Sequence, residues 1–316
     1  MSVQAIDRNL LMLEAARLYY EHHLNQSQIA VKLDVSRPSV SRLLQEARDT
    51  GIVRIQIIDP TASGTRLEAA LREKYGLKHT VVVPSDKDEA VLKSRLGFAL
   101  INHFDQLRVE ETTLGVSWGS TLLSATDHLK SRTVKNMTVV QLNGGVSRAE
   151  LDTHASEIAG RIGENYNAIP YLLPLPAIVD SPELKQAIIS DRHIAKTLKL
   201  AREADISAFT IGAFGSKSVL VQADYFEDDE VQELIQHGAV ADICSRLINA
   251  DGSICSPELD ARTIGIELDE LKSKSYSIAV AGGVEKTKAI KAGLAGGYFV
   301  CLITDENVAR QLLDED

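Results

Sequence analysis

Three cysteines, Cys244, Cys255 and Cys301, are the only thiols in 316 residues, and no two are spaced as a CxxC pair. That scarcity argues against a disulfide scaffold or a cysteine-built zinc site and fits reduced, structural thiols. Long apolar runs are missing as well. The longest, such as YFVCLIT over 298–304, suit buried strands and fall well short of a membrane span. The first twenty residues lack the basic start and small-residue cleavage site of a secretory signal, so a cytoplasmic protein is expected. Internal repeats and low-complexity segments are absent. With 44% hydrophobic and 25% charged residues the composition is that of a globular protein, and the length accommodates two domains.

Excess positive charge is also missing: the net charge of −10 argues at first against a nucleic-acid partner. The charge is unevenly spread, however. Residues 1–58 hold seven Lys/Arg and six Asp/Glu and sum to +1, so the remaining 258 residues carry −11. What matters for DNA is where cations cluster. Arg37, Arg42 and Arg48 fall together in one short segment.

The first two of these arginines lie in NQSQIAVKLDVSRPSVSRLL, residues 25–44. Before it, residues 5–24 carry leucines and alanines at helical spacing and predict one amphipathic helix. Asn25 or Ser27 caps a second helix. Ser36 caps a third, with Pro38 tolerated in its first turn and Gly51 closing it. Two helices packed as a helix-turn-helix need a small residue in the first, a turn-former between them and branched apolar residues in the second. Ala30, Asp34 and Val40 hold those places, with Ile29, Val35 and Leu43 also inward; Asp tolerates the left-handed conformation such a turn demands. The third helix then offers Ser36, Arg37, Ser39, Ser41 and Arg42 near its N-terminal end, the end that enters the major groove in this motif. For Arg37 and Arg42 phosphate contact and guanine readout are open alternatives, and Gln28 is expected on backbone phosphate. A helical hairpin that merely packs on a neighbour is the alternative.

Beyond this head, residues 52–59 alternate as a strand and residues 59–65 read as a linker. Further on, HTVVVP, TLGVS, MTVVQL, ISAFTIG, SIAVAGG and YFVCLIT are strand-length apolar runs separated by longer helical patterns. Such alternation predicts a mainly parallel sheet covered by helices. The division expected is a helix-turn-helix domain over 1–58, the linker over 59–65, and an oligomerising, ligand-binding domain over 66–316.

The stretch EAARLYYEHHLNQSQIAVKLDVSRPSVSRLLQEARDTGIVRIQI resembles the N-terminal domain of SorC-type sugar-sensing transcriptional regulators. The resemblance continues through LGVSWGSTL, VVQLNGGVS, YLLPLPAIVD, DICSRLINADGSICS, RTIGIEL and VAGGVEKTKAI, nearly the whole chain. Within the family it is most similar to the deoxyribonucleoside-operon repressors. The resemblance implies an α/β protein with a Rossmann-like effector domain of the sugar-phosphate isomerase and deaminase kind. It also implies a homotetramer or homodimer and release from double-stranded operator DNA by a phosphorylated sugar, a pentose phosphate or a related compound. No membrane partner, cofactor or metal is implied.

The effector residues expected are Ser117, Trp118, Gly119, Ser120 and Thr121 in one strand-to-helix turn, whose glycines let backbone approach a ligand and whose helix start favours an anion. An ordinary Gly/Ser turn is the competing reading, and Trp118 either lines the pocket or plugs the core. Gln141, Asn143, Gly144 and Gly145 form a second turn. Relatives can carry lysine where Asn143 stands; an amide cannot form the Schiff base that an amine forms with an open-chain aldose, so non-covalent binding is expected. Lys286 matches the family's phosphate-contacting lysine. Asp242 and Glu267 are expected to accept sugar hydroxyls, or else to be caps or buried structural carboxylates. His154 and His193 stand beside acids without a second metal-type ligand at helical spacing and read as structural. An isomerase-like or deaminase-like enzyme with a DNA-binding appendage is the other functional class, with Asp242 and Glu267 as its acid–base pair.

Overall fold

The computed structural model describes residues 3–22, 24–53, 63–107, 109–146 and 152–314. The chain divides into two compact units, Met1–Thr61 and Ala62–Asp316.

The first unit is three helices, α1 (Val3–Tyr20), α2 (Gln26–Lys32) and α3 (Arg37–Asp49). Asn25 caps α2 in a reciprocal box with Gln28, and the Ser36 hydroxyl caps α3 at the Ser39 amide. Between them Asp34 adopts φ +52°, the left-handed turn conformation expected of it. Ile29, Ala30, Val40, Leu43 and Leu44 pack on Met12, Ala15 and Ala16 of α1, with Val35 partly buried against them. The strand expected over 52–59 is not seen where it is described: Ile52 and Val53 form a bend, and 54–59 lie outside the described residues. Of the linker over 59–65, positions 59–62 also lie outside them, and the remainder is already helical.

The second unit opens with α4 (Ser63–Tyr75), β1 (His79–Val83), α5 (Glu89–Gln106), β2 (Thr113–Val116), α6 (Ser120–Thr126) and β3 (Thr138–Gln141). It continues through α7 (Ala155–Tyr166), β4 (Ile169–Tyr171), α8 (Pro182–Ile189), α9 (Arg192–Arg202), β5 (Ile206–Ala213), α10 (Val219–Gln222) and α11 (Asp228–Gln236). The hairpin β6 (Ala241–Ile243) and β7 (Arg246–Ile248) precedes α12 (Pro257–Arg262), α13 (Leu268–Lys272) and β8 (Tyr276–Val280). A 3₁₀ turn (Val284–Lys286), α14 (Thr287–Gly296), β9 (Cys301–Asp305) and α15 (Glu306–Asp314) complete it.

Seven strands pair in the parallel order β1-β9-β8-β5-β2-β3-β4, and β6 joins the end of β5 antiparallel. This is a Rossmann-like α/β sheet with both faces covered. Alternate residues feed the two cores. Val139, Ile278, Val280 and Ile303 point to the layer of α5, α6 and α7, whereas Val140, Ala279 and Leu302 point to that of α4, α9, α14 and α15. Burial on both faces is why these strands read as unbroken apolar runs. At one margin β4 has only three residues, the middle one Pro170.

Candidate functional site

The carboxyl ends of the parallel strands converge on a cavity of about 70 Å³, open to solvent on one side. In open α/β sheets this is where ligands bind. Its wall holds Ser117, Trp118, Gly119, Ser120 and Thr121 after β2, Asn143 after β3, Asp242 on β6, and Lys286. Thr210, Ile211, Gly212, Val219, Cys244 and Ser245 complete it, none of which sequence reasoning singled out.

Local structure explains the first wall. Gly119 has φ +133°, and a Cβ there would lie 3.0 Å from the Thr210 hydroxyl, so the turn needs glycine. The start of α6 has no side-chain cap, which leaves its first N–H groups available at the cavity edge. Trp118 does what both readings of it asked. Its ring belongs to the core and its Nε1 donates to the Gly144 carbonyl at 2.9 Å, while it also lines the cavity.

The second wall is the tip of the β6–β7 hairpin. Cys244 (φ +50°) and Ser245 (φ +68°) are both left-handed, the two-residue turn usually written with Asn-Gly. Such strain in non-glycine residues concentrates at functional sites. The Ser245 amide donates to Asp242 Oδ1 at 3.3 Å, and the Ser245 hydroxyl accepts from Asn143 Nδ2 at 2.8 Å. Asn143 Oδ1, by contrast, is buried without a partner among the described residues. Burial pushes the Asp242 carboxyl up to about 6, against the opposing pull of the Ser245 amide and the Lys286 charge. Burial likewise lowers the Lys286 amine, helped by the nearby Lys93 charge and opposed by Glu285, Asp242 and Glu89.

Four expected effector residues lie outside this cavity. Gln141 turns its Oε1 to the Leu173 amide. The Gly144 and Gly145 amides, expected to cradle a ligand, already donate to the Ile264 and Leu175 carbonyls at 3.0 and 2.9 Å. Glu267 caps α13 and lies 2.9 Å from the Arg246 guanidinium. With Glu267 elsewhere, the acid–base pair the enzyme reading required is not assembled.

On the head, Arg37, Ser41 and Arg42 stand exposed along the start of α3. Ser36 and Ser39 share a hydroxyl contact of 2.8 Å, and Gln28 Oε1 accepts from the Asn25 backbone N–H at 2.9 Å, so these three already serve the caps. Arg48 turns to Gln45 at 2.8 Å.

Asp152, His154 and Glu157 bring ligand-type atoms within 4.8 Å of one another, so Glu157 is a second metal-type group that sequence reasoning overlooked. These groups satisfy one another: the His154 ring meets Glu157 at 2.8 Å, and Arg161 also holds Glu157, at 2.5 Å. His193 gives its amide to the α9 cap Asp191. No helix among the described residues is long and apolar enough to cross a membrane.

Comparison with known proteins agrees with this architecture. Residues 59–314 match the family described as "Putative sugar-binding domain". The chain is 38% identical to the deoxyribonucleoside regulator of Bacillus subtilis, covering 98% of this chain and 99% of the relative. It is 29% identical to the sorbitol operon regulator of Klebsiella pneumoniae over 96% of this chain and 97% of that one. The crystal structure of the full-length sorbitol operon regulator SorC from Klebsiella pneumoniae superimposes with a TM-score of 0.82 at 29% identity, covering 96% of this chain and 98% of that one.

Proposed function

The chain belongs to the sugar-binding family of SorC-type transcriptional regulators and is a regulator rather than an enzyme, and from that premise we propose that it represses a sugar or nucleoside catabolic operon. A phosphorylated sugar, a pentose phosphate or a close relative, binds non-covalently in the cavity and releases the protein from its operator.

One observation carries the effector class. The cavity combines a desolvated amine on Lys286 with the Asp242 carboxyl and with Asn143 Oδ1, a buried acceptor that has no donor among the described residues. A ligand with an anionic end and several hydroxyls answers all three. The uncapped N–H groups of α6 add to the attraction for the anion.

For the DNA end, the exposed Arg37, Ser41 and Arg42 support entry of α3 into the major groove, with Gln28, Ser36 and Ser39 at its flank. One such head reads only a half-site, so operator affinity needs a homodimer or homotetramer held together by the larger unit. The effector acts by binding two arrangements of that assembly with different affinity.

The test is a thermal-shift screen of free and phosphorylated pentoses, hexoses and nucleosides, followed by binding to a fragment of the protein's own promoter with and without each hit. A phosphorylated sugar is expected to raise the melting temperature and lower DNA affinity. Borohydride treatment of the complex is expected to leave the protein mass unchanged. A ligand set without phosphates, or a reduced adduct on a cavity lysine, would overturn this reading.

A further inference from the structure

The carboxylate of Asp305 ends β9, is 1% exposed, and accepts from four donors. Its Oδ2 accepts from the Gly283 amide at 2.7 Å. Its Oδ1 accepts from the Ser85 hydroxyl at 2.5 Å and from the Asn307 and Val308 amides at 3.1 and 3.4 Å. The Ser85 oxygen in turn takes the Asn307 amide at 2.8 Å. One side chain thereby ties together the loop after β1, the loop after β8 and the start of α15.

The loop after β8 is the one that delivers Lys286. Gly283 has φ +96°, and the Lys286 amide closes the 3₁₀ turn on the Gly283 carbonyl at 2.9 Å. A Cβ at Gly282 would approach Asp305 Oδ2 to 2.8 Å, so the backbone passes as close to the carboxylate as sterics permit. A second tie, from the Thr287 hydroxyl to Gln311 Oε1 at 2.6 Å, fastens the residue after Lys286 to α15.

We propose that Asp305 is a positioning residue for the cavity: through the Gly283 amide it sets the turn that points Lys286 inward, and through Asn307 and Val308 it anchors that turn to α15. The importance of this for effector binding rests on the reading of the cavity given above; the positioning itself does not. The chemistry requires a carboxylate. An amide in the same place sets its NH₂ group against a backbone N–H in either orientation, at Gly283 or at Asn307 and Val308, so an isosteric substitution breaks the arrangement without changing its volume.

The experiment is NMR of the full chain labelled with ¹³C at the lysine Cε, with the Lys286 signal assigned by its loss in Lys286→Arg. In the wild type Lys286 is expected to titrate below the ordinary lysine range, lowered by burial and by Lys93 and opposed by Glu285, Asp242 and Glu89. In Asp305→Asn its midpoint is expected to move by more than about half a pH unit while the other lysines stay in place. A folded Asp305→Asn protein whose Lys286 titrates as in the wild type would sink the proposal. Should that variant not fold, Gly283→Ala perturbs the same turn from the other side through its positive φ. It must displace Lys286 as well, and an unmoved signal there counts equally against the idea. Calorimetric titration with ribose 5-phosphate adds the functional arm, with affinity expected to fall about tenfold in Asp305→Asn and no further in a Lys286→Met background. If the wild type ignores ribose 5-phosphate, the effector reading suffers and the NMR result still decides the role of Asp305.

Discussion

The guanidinium of Arg246, with no exposed side-chain surface, lies 2.9 Å from a carboxylate oxygen of Glu267. It also pairs with Asp260 and donates to the carbonyls of Ile266 and Gly265 at 2.8 and 3.3 Å. A buried cation needs this surround of acceptors, and it draws Glu267 away from the cavity. The segment from Asp260 to Glu267 is thereby folded around β7, whose first residue is Arg246.

Glu267→Ala is therefore expected to lower stability and spare ligand binding. Arg246 keeps Asp260 and its carbonyl partners, and Glu267 is nearly half exposed, so the cost is about 1–3 kcal/mol. A chemical denaturation curve measures it. Unchanged stability with lost effector response would return Glu267 to the binding site.

Lys286→Met carries a paired signature. Removing a desolvated amine is expected to raise the melting temperature, while the protein stays on promoter DNA when a candidate effector is added. Fluorescence anisotropy on promoter DNA, run beside a thermal melt, reads both. A variant that still releases DNA at wild-type effector concentrations would remove Lys286 from the effector site.

Arg37→Ala and Arg42→Ala are each expected to weaken operator binding and to reduce the slope of log affinity against log salt by about one if the lost contact is to phosphate. An unchanged slope with relaxed sequence preference would instead mark guanine readout. The effector-induced thermal shift is expected to stay as in the wild type for both.

Asp242→Asn tests the raised carboxyl. An unfolded Asp titrates near 3.9, whereas this one titrates at about 6, so the folded state holds the proton more tightly. Its stabilising contribution is full below pH 4 and is lost as the pH rises through 6. The melting-temperature advantage of the Asn variant over the wild type should therefore grow from pH 4 to about 7 and then level off. A difference independent of pH would show that Asp242 is not desolvated.

The head was readable because its rules are local. Ala30, Asp34 and Val40 occupy fixed places within fifteen residues, and Asn25 and Ser36 announce the helix starts. The turn from Ser117 to Thr121 was readable for the same reason: strand, glycine and helix follow one another directly. The opposite wall was not. β6 and β7 have three residues each, and their left-handed turn is Cys-Ser where a reader looks for Asn-Gly. Nothing in the sequence brings Thr210 or Ser245 beside Asn143: the parallel pairing of β2, β3 and β5 does so for Thr210, and the antiparallel pairing of β6 with β5 for Ser245. Glu267 was misread because its partner is an arginine 21 positions earlier in the chain. The glycines at 144 and 145 were credited with free amides that neighbouring loops already use.

Pro170 has a consequence for how copies of this protein can join. The Ile169 amide donates inward to Met137 at 3.3 Å, so the nitrogen of the next residue faces away from β3, and in Pro170 that nitrogen carries no hydrogen. A strand from another molecule arriving at this border meets a missing rung in the centre of a three-residue ladder. This border is thus a poor template for edge-to-edge strand addition, at no cost to pairing with β3.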